Sequence, residues 1–111
     1  MAFLPKVIQL SPIAGETTSL SRTYTDKVAD STTISVSYNG QNLPGYAAGS
    51  PTPMDKYYFT YATSYPSAGI TIIVYAHQAY KHPDYDWTTG TGAVLKFNTN
   101  DRLIIQYAYE V

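Results

Sequence analysis

Residues 32–40 read TTISVSYNG, an alternation of apolar and polar side chains that ends at Asn39-Gly40. Period two sets Ile34, Val36 and Tyr38 on one face and Thr33, Ser35 and Ser37 on the other. That is the pattern of an antiparallel strand buried on one side. Asn-Gly then marks a tight turn between two strands. The stretch RLIIQYAYEV at 102–111 repeats the pattern, with Leu103, Ile105, Tyr107 and Tyr109 opposed to Ile104, Gln106, Ala108 and Glu110. No segment carries a convincing helical period. The nearest, VYAHQAYKH at 74–82, is short, lacks an N-cap and follows a β-branched run, so it reads as strand plus loop.

The remaining segments extend the same reading. KVIQL at 6–10, bounded by Pro5 and Pro12, reads as an edge strand or arm. TTSLSRTY at 17–24 alternates, with Leu20 and Tyr24 on one face. KYYFTYAT at 56–63 and GITIIVYA at 69–76 form a hairpin across SYPSA, and the second, apolar or aromatic on both faces, reads as a central strand. LPGYAAGSPTPMD at 43–55 and KHPDYDWTTGTG at 81–92 read as loops, AVLKF at 93–97 as a strand, and NTND at 98–101 as a tight connection. About seven short strands with regular turn signals predict an all-β antiparallel sandwich of jelly-roll or Ig-like architecture. The expected organisation is an N-terminal arm and edge strand over 1–15 and one sandwich domain over 16–111.

Composition narrows the function. A chain of 111 residues is one domain with a modest core. The absence of cysteine excludes disulfides, thiolate catalysis and cysteine-based zinc sites. With 7 basic and 8 acidic residues and no run of like charge, nothing favours nucleic acid or an anionic membrane as partner. Pro5, Lys6 and Pro12 interrupt the apolar N-terminal stretch, which argues against a signal peptide, and nowhere do 18 apolar residues run together.

Groups able to do chemistry are sparse. His77 and His82 stand near Asp84 and Asp86, but two histidines without cysteine are a weak metal signal. Asp84 and Asp86 at i and i+2 of an extended segment share a face, whereas a glycosidase pair flanks its bond from opposite sides. No G-x-S-x-G motif is present, and TGTG at 89–92 lacks the lysine and helix of a phosphate loop. The expectation is a protein that is not an enzyme and needs no cofactor or metal.

Twelve tyrosines are the unusual feature, in a chain with only 14% charged residues. Tyr57, Tyr58, Tyr61, Tyr65 and Tyr75 with Trp87 suit an exposed aromatic platform for sugar rings, since a flat ring with a polar tip matches a pyranose face. The same amphipathic character suits a protein interface, and the alternate tyrosines suit the core.

Taken together, TTSLSRTY, DSTTISVSYNGQNL, DYDWTTGTGAVLKFN and NDRLIIQYAY resemble a β-rich module of bacteriophage virion proteins, tail-fibre and appendage domains above all. The counterparts are Asn39 and Gly40, Asp84 and Tyr85, Gly90 and Gly92, Val94 to Phe97, and Asn100 with Asp101. The resemblance implies a virion location, as a capsid decoration (cement) protein or a tail or fibre component. It implies other virion proteins as partners and a homo-oligomer, a trimer among the options. Contact residues expected on this basis are Phe3, Leu4, Val7, Tyr46, Tyr57, Tyr58, Tyr61 and Trp87. The alternative is a carbohydrate-binding module for host-surface glycans, with Tyr61, Tyr85 and Trp87 as the platform.

Overall fold

The computed structural model describes residues 2–10, 19–49, 55–76, 97 and 100–111. Within them the chain forms eight strands: β1 (Phe3–Leu10), β2 (Ser19–Tyr24), β3 (Ser35–Tyr38), β4 (Gln41–Asn42), β5 (Gly45–Ala47), β6 (Tyr57–Thr63), β7 (Ile70–Ala76) and β8 (Leu103–Glu110). They make two four-stranded sheets, one ordered β1-β8-β3-β4 and the other β2-β7-β6-β5. The all-β sandwich read from the sequence is the fold that the chain adopts.

The alternating residues account for the core. Val36, Leu103, Ile105 and Tyr107 of the first sheet meet Phe59, Ile70, Ile72, Val74 and Ala76 of the second, joined by Val28, Ile34 and Phe97. All are buried, and each Val, Leu, Ile or Phe side chain among them contributes about 1.5–3 kcal/mol of transfer free energy on leaving water. β7 is central, flanked by β2 and β6, as its two apolar faces indicated. The hairpin of β6 and β7 pairs Tyr57 with Ala76 at one end and Thr63 with Ile70 at the other.

Asn39 and Gly40 form the two-residue turn between β3 and β4, with Tyr38 opposite Gln41. Both central residues have positive φ, 49° and 87°, the backbone that Asn and Gly tolerate best. This turn is braced against the second turn read from the sequence, some sixty residues on. Asn39 and Arg102 exchange two hydrogen bonds: Asn39 N–H donates to the Arg102 carbonyl at 2.9 Å, and Arg102 N–H donates to Asn39 Oδ1 at 2.8 Å. The buried Asp101 carboxylate accepts from Tyr38 Oη at 2.8 Å and from Asn39 Nδ2 at 3.1 Å.

Two segments differ from the sequence reading. The stretch 43–55, read as loop, contains β5, which pairs in parallel with β6 (Gly45 opposite Phe59, Ala47 opposite Tyr61). Gly45 permits this because a Cβ there would lie 2.2 Å from the ring of Phe59, so only a bare backbone fits over that ring. The start of the 32–40 strand is instead a turn of 3₁₀ helix over Ser31–Thr33. Asp30 caps it, accepting from Thr32 N–H at 2.9 Å and from Thr32 Oγ1 at 2.6 Å. The readings at 77–96, including the AVLKF strand but for the buried Phe97, lie outside the described residues.

Candidate interaction surface

β1 runs antiparallel to β8 along its whole length, from Phe3 opposite Glu110 to Leu10 opposite Leu103. Among the described residues it is an edge strand of its sheet. The Ala2 carbonyl accepts from Val111 N–H at 3.0 Å, and Glu110 N–H points away from β1 to the Lys27 carbonyl at 2.8 Å. Backbone groups alternate in direction along a strand, so the even-numbered residues of β1 bond β8 and the odd-numbered ones face the open edge. Pro5 therefore sits where its missing N–H interrupts the edge and leaves the β1–β8 ladder intact.

Side chains alternate with the same parity. Lys6, Ile8 and Leu10 turn toward the core side, and Ile8 and Leu10 pack against the core. Phe3, Pro5, Val7 and Gln9 stand on the outer face, all exposed. Among the described residues the exposed large apolar side chains are Phe3 (51%), Leu4 (44%), Val7 (64%), Tyr65 (40%) and Val111 (71%). They converge on one edge. Phe3, Leu4 and Val7 lie on β1, the Val111 N–H bonds Ala2, and the Tyr65 hydroxyl is hydrogen-bonded to Glu110, the residue opposite Phe3. Leu4 falls on the inner parity and Phe3 and Val7 on the outer, so apolar side chains flank this edge from both faces, and clustered apolar exposure marks an interaction site more often than isolated side chains do.

One charged group lies on β1, and it is turned inward. Lys6 Nζ donates to Asp26 Oδ2 at 2.8 Å, and Tyr107 Oη donates to the same oxygen at 2.5 Å. The Lys6 and Tyr107 bonds hold the Asp26 carboxyl below the usual carboxylate range, while burial pushes the Tyr107 phenol far above its ordinary value. The Lys6 ammonium also lies 5.4 Å from the centre of the Tyr24 ring. This bolt fixes β1 to the body of the sandwich and neutralises its charge.

The tyrosines serve chiefly inside the fold. Tyr58 is buried at 8% exposure, with its ring stacked on Tyr75 at 4.9 Å and edge-on to Tyr46 at 6.2 Å. As an expected contact residue it is therefore corrected: its ring is covered within this one chain. Tyr57 stacks on Tyr38 at 4.5 Å, and Tyr57 and Tyr61 pack against the core from the inward face of β6. They too offer a partner only part of their surface. Tyr46 is half-buried, its hydroxyl donating to Asp55. Tyr38, Tyr46, Tyr65 and Tyr107 each hydrogen-bond a carboxylate. In a chain with few charges, phenol–carboxylate bonds take the place that ion pairs hold elsewhere. Tyr85 and Trp87 lie outside the described residues, as do His77, His82, Asp84 and Asp86.

A concavity opens between the sheets beside β4 and β5. Phe59 and Tyr61 line it together with Ser31, Thr32, Ile34, Ser35, Asn42 and Leu43, around a volume of about 320 Å³. Sequence reasoning singled out Tyr61 there but not Ser31, Thr32 or Asn42, which no local pattern marks.

No protein-family model, curated protein or solved structure matches this chain.

Proposed function

We propose that this chain is a non-enzymatic structural component of a bacteriophage virion, a capsid decoration protein or a tail or fibre part, held to its neighbours along the β1 edge. One observation carries the reading: among the described residues, three of the five exposed large apolar side chains, Phe3, Leu4 and Val7, lie on β1, an edge strand whose one charged group, Lys6, is paired with Asp26. Such an edge offers a neighbour both backbone hydrogen bonds and an apolar row. Of the expected contact residues, Phe3, Leu4 and Val7 carry the contact rather than the tyrosines, because most of the described tyrosines are engaged within the chain. The test is mass spectrometry of gradient-purified particles grown from the genome that encodes the chain. A fixed copy number per particle is expected, and absence from particles refutes the reading.

A second reading, a carbohydrate-binding module for host adhesion, has one observation in its favour. The concavity with Tyr61 and Phe59 also carries the hydroxyls of Ser31, Thr32 and Ser35 and the amide of Asn42. Aromatic faces beside hydroxyl and amide groups suit a sugar ring. Glycan-array binding lost on Asn42→Ala, an exposed position, supports it; silence on a broad array ends it.

A further inference from the structure

We infer that two copies of this chain pair through β1, antiparallel about a twofold axis, so that their β1-β8-β3-β4 sheets join into one continuous sheet. The inference rests on the reading of β1 as the assembly edge and names its occupant as a second copy.

The four sheet edges among the described residues are unequal. β4 and β5 are two and three residues long. β2 has six residues, with Leu20 and Tyr24 turned to the core, and it carries Arg22, whose exposed guanidinium reaches back to the Ser21 carbonyl at 2.8 Å. A charge on an edge guards it against pairing. β1 has eight residues, its one ammonium is neutralised on the inner side by Asp26, and its outer row is Phe3, Pro5, Val7 and Gln9. Two such edges meet without like-charge repulsion on the outer face. An isologous contact needs this self-complementarity, since the same patch serves both copies.

Parity and Pro5 select the register. The odd-numbered residues carry the open backbone groups, so odd residues of one copy face odd residues of the other. With Pro5 opposite Pro5, the central pair has no N–H on either side. With Pro5 opposite Val7, Lys6 faces its own copy on the inner side, and like charges directly opposite are destabilising. With Pro5 opposite Gln9, Lys6 no longer faces itself, and each missing Pro5 N–H falls on a flank of the ladder while the pair on the axis keeps both its hydrogen bonds. Val7 then faces Val7 on the axis, Lys6 faces Ile8, Leu4 faces Leu10, and the Gln9 N–H donates to the Pro5 carbonyl. Larger shifts shorten the ladder. Val7, the most exposed apolar residue of β1, thus becomes the centre of the joint.

The chain contains no cysteine, so one introduced thiol reads the geometry without ambiguity. In a hydrogen-bonded antiparallel pair the facing Cα atoms lie about 5.5 Å apart, within the span of a disulfide. Val7→Cys is expected to give a covalent dimer on mild oxidation, whereas Ser21→Cys, exposed on β2, stays monomeric under the same conditions. Light scattering on the unmodified chain should return twice 12.3 kDa at micromolar concentration. Val7→Lys should return the monomer mass with an unchanged far-ultraviolet spectrum. A monomer at every concentration, a trimer, or a dimer that survives Val7→Lys with no Val7→Cys cross-link overturns the pairing. None of these outcomes bears on whether the chain is found in particles, so the two readings fail separately.

Discussion

The sharpest test of the packing is the contact between Gly45 and Phe59. A Cβ built on Gly45 lies 2.2 Å from Cζ of Phe59 and 2.7 Å from both Cε atoms, with no positive φ to confuse the result. Phe59 is 3% exposed, inside the core with Val74 opposite it on β7, so its ring has little room to withdraw. Gly45→Ala should therefore behave as overpacking and cost about 1–3 kcal/mol. At about 4 °C per kcal/mol for a domain of this size, the melting temperature falls by roughly 4–12 °C. Phe59→Ala alone should cost about 3–5 kcal/mol, as the removal of a buried ring does. The decisive variant is the double one: once the ring is gone the added methyl has space, and the two costs should fall short of additivity by about 1 kcal/mol or more. Urea unfolding followed by circular dichroism gives all three differences. A Gly45→Ala cost below about 0.5 kcal/mol, or additivity within that margin, would falsify the account of β5 as a strand seated on an aromatic face.

Three further outcomes are expected. Gly40→Ala meets no atom within 4 Å, so its cost is purely that of φ +87°, about 1–2 kcal/mol in a thermal melt; a neutral result means that the turn is not as described. The Asp26 carboxyl is depressed below its ordinary 3.8 by the Lys6 and Tyr107 bonds, so the stability it contributes is present above that value and lost as pH falls through the folded one. Urea midpoints between neutral and strongly acid pH should drop more steeply in the unmodified chain than in Asp26→Asn, which starts lower; parallel curves refute the bolt. Burial raises Tyr38 and Tyr107 far above the ordinary 10.0, so their stabilising effect holds below that value and fades as pH rises beyond it. Part of the tyrosinate absorbance should then appear only with cooperative alkaline unfolding, and a single smooth titration with no unfolding step contradicts this.

Much of the framework was legible because burial and period two coincide. Ile34, Val36 and Tyr38, then Ile70, Ile72 and Val74, then Leu103, Ile105 and Tyr107 each fall on one face and each face is the core side. Pro5 pointed to an edge strand, and β1 is one, with proline at a position whose N–H the ladder does not use. β5 was hidden because three residues carry no periodicity, and what makes Gly45–Ala47 a strand is a ring fourteen positions away. The tyrosines misled for a physical reason. Alternation tells which tyrosines share a face, but a phenol is equally at home in a core, at an interface or against a sugar. What settles its place is a carboxylate distant in sequence: Asp26 lies 81 positions from Tyr107, and Asp101 lies 63 from Tyr38. The apolar N-terminal stretch was read as an arm because its partner strand, β8, follows every other strand in sequence.

That position of β8 has a kinetic consequence. It is the strand between β1 and β3, so their sheet has no middle until residues 103–110 exist. Among the described residues, the pairings of the other sheet lie within residues 19–76. During synthesis one layer of the sandwich can close while β1 waits, apolar and unpaired, for about a hundred residues of chain to be made and looped back, and closing a loop of that length is an entropic cost met before any of its contacts form. The arrival of β8 is thus the step expected to be slow in folding. Until then β1, with Phe3, Leu4 and Val7, is an apolar strand open to premature association.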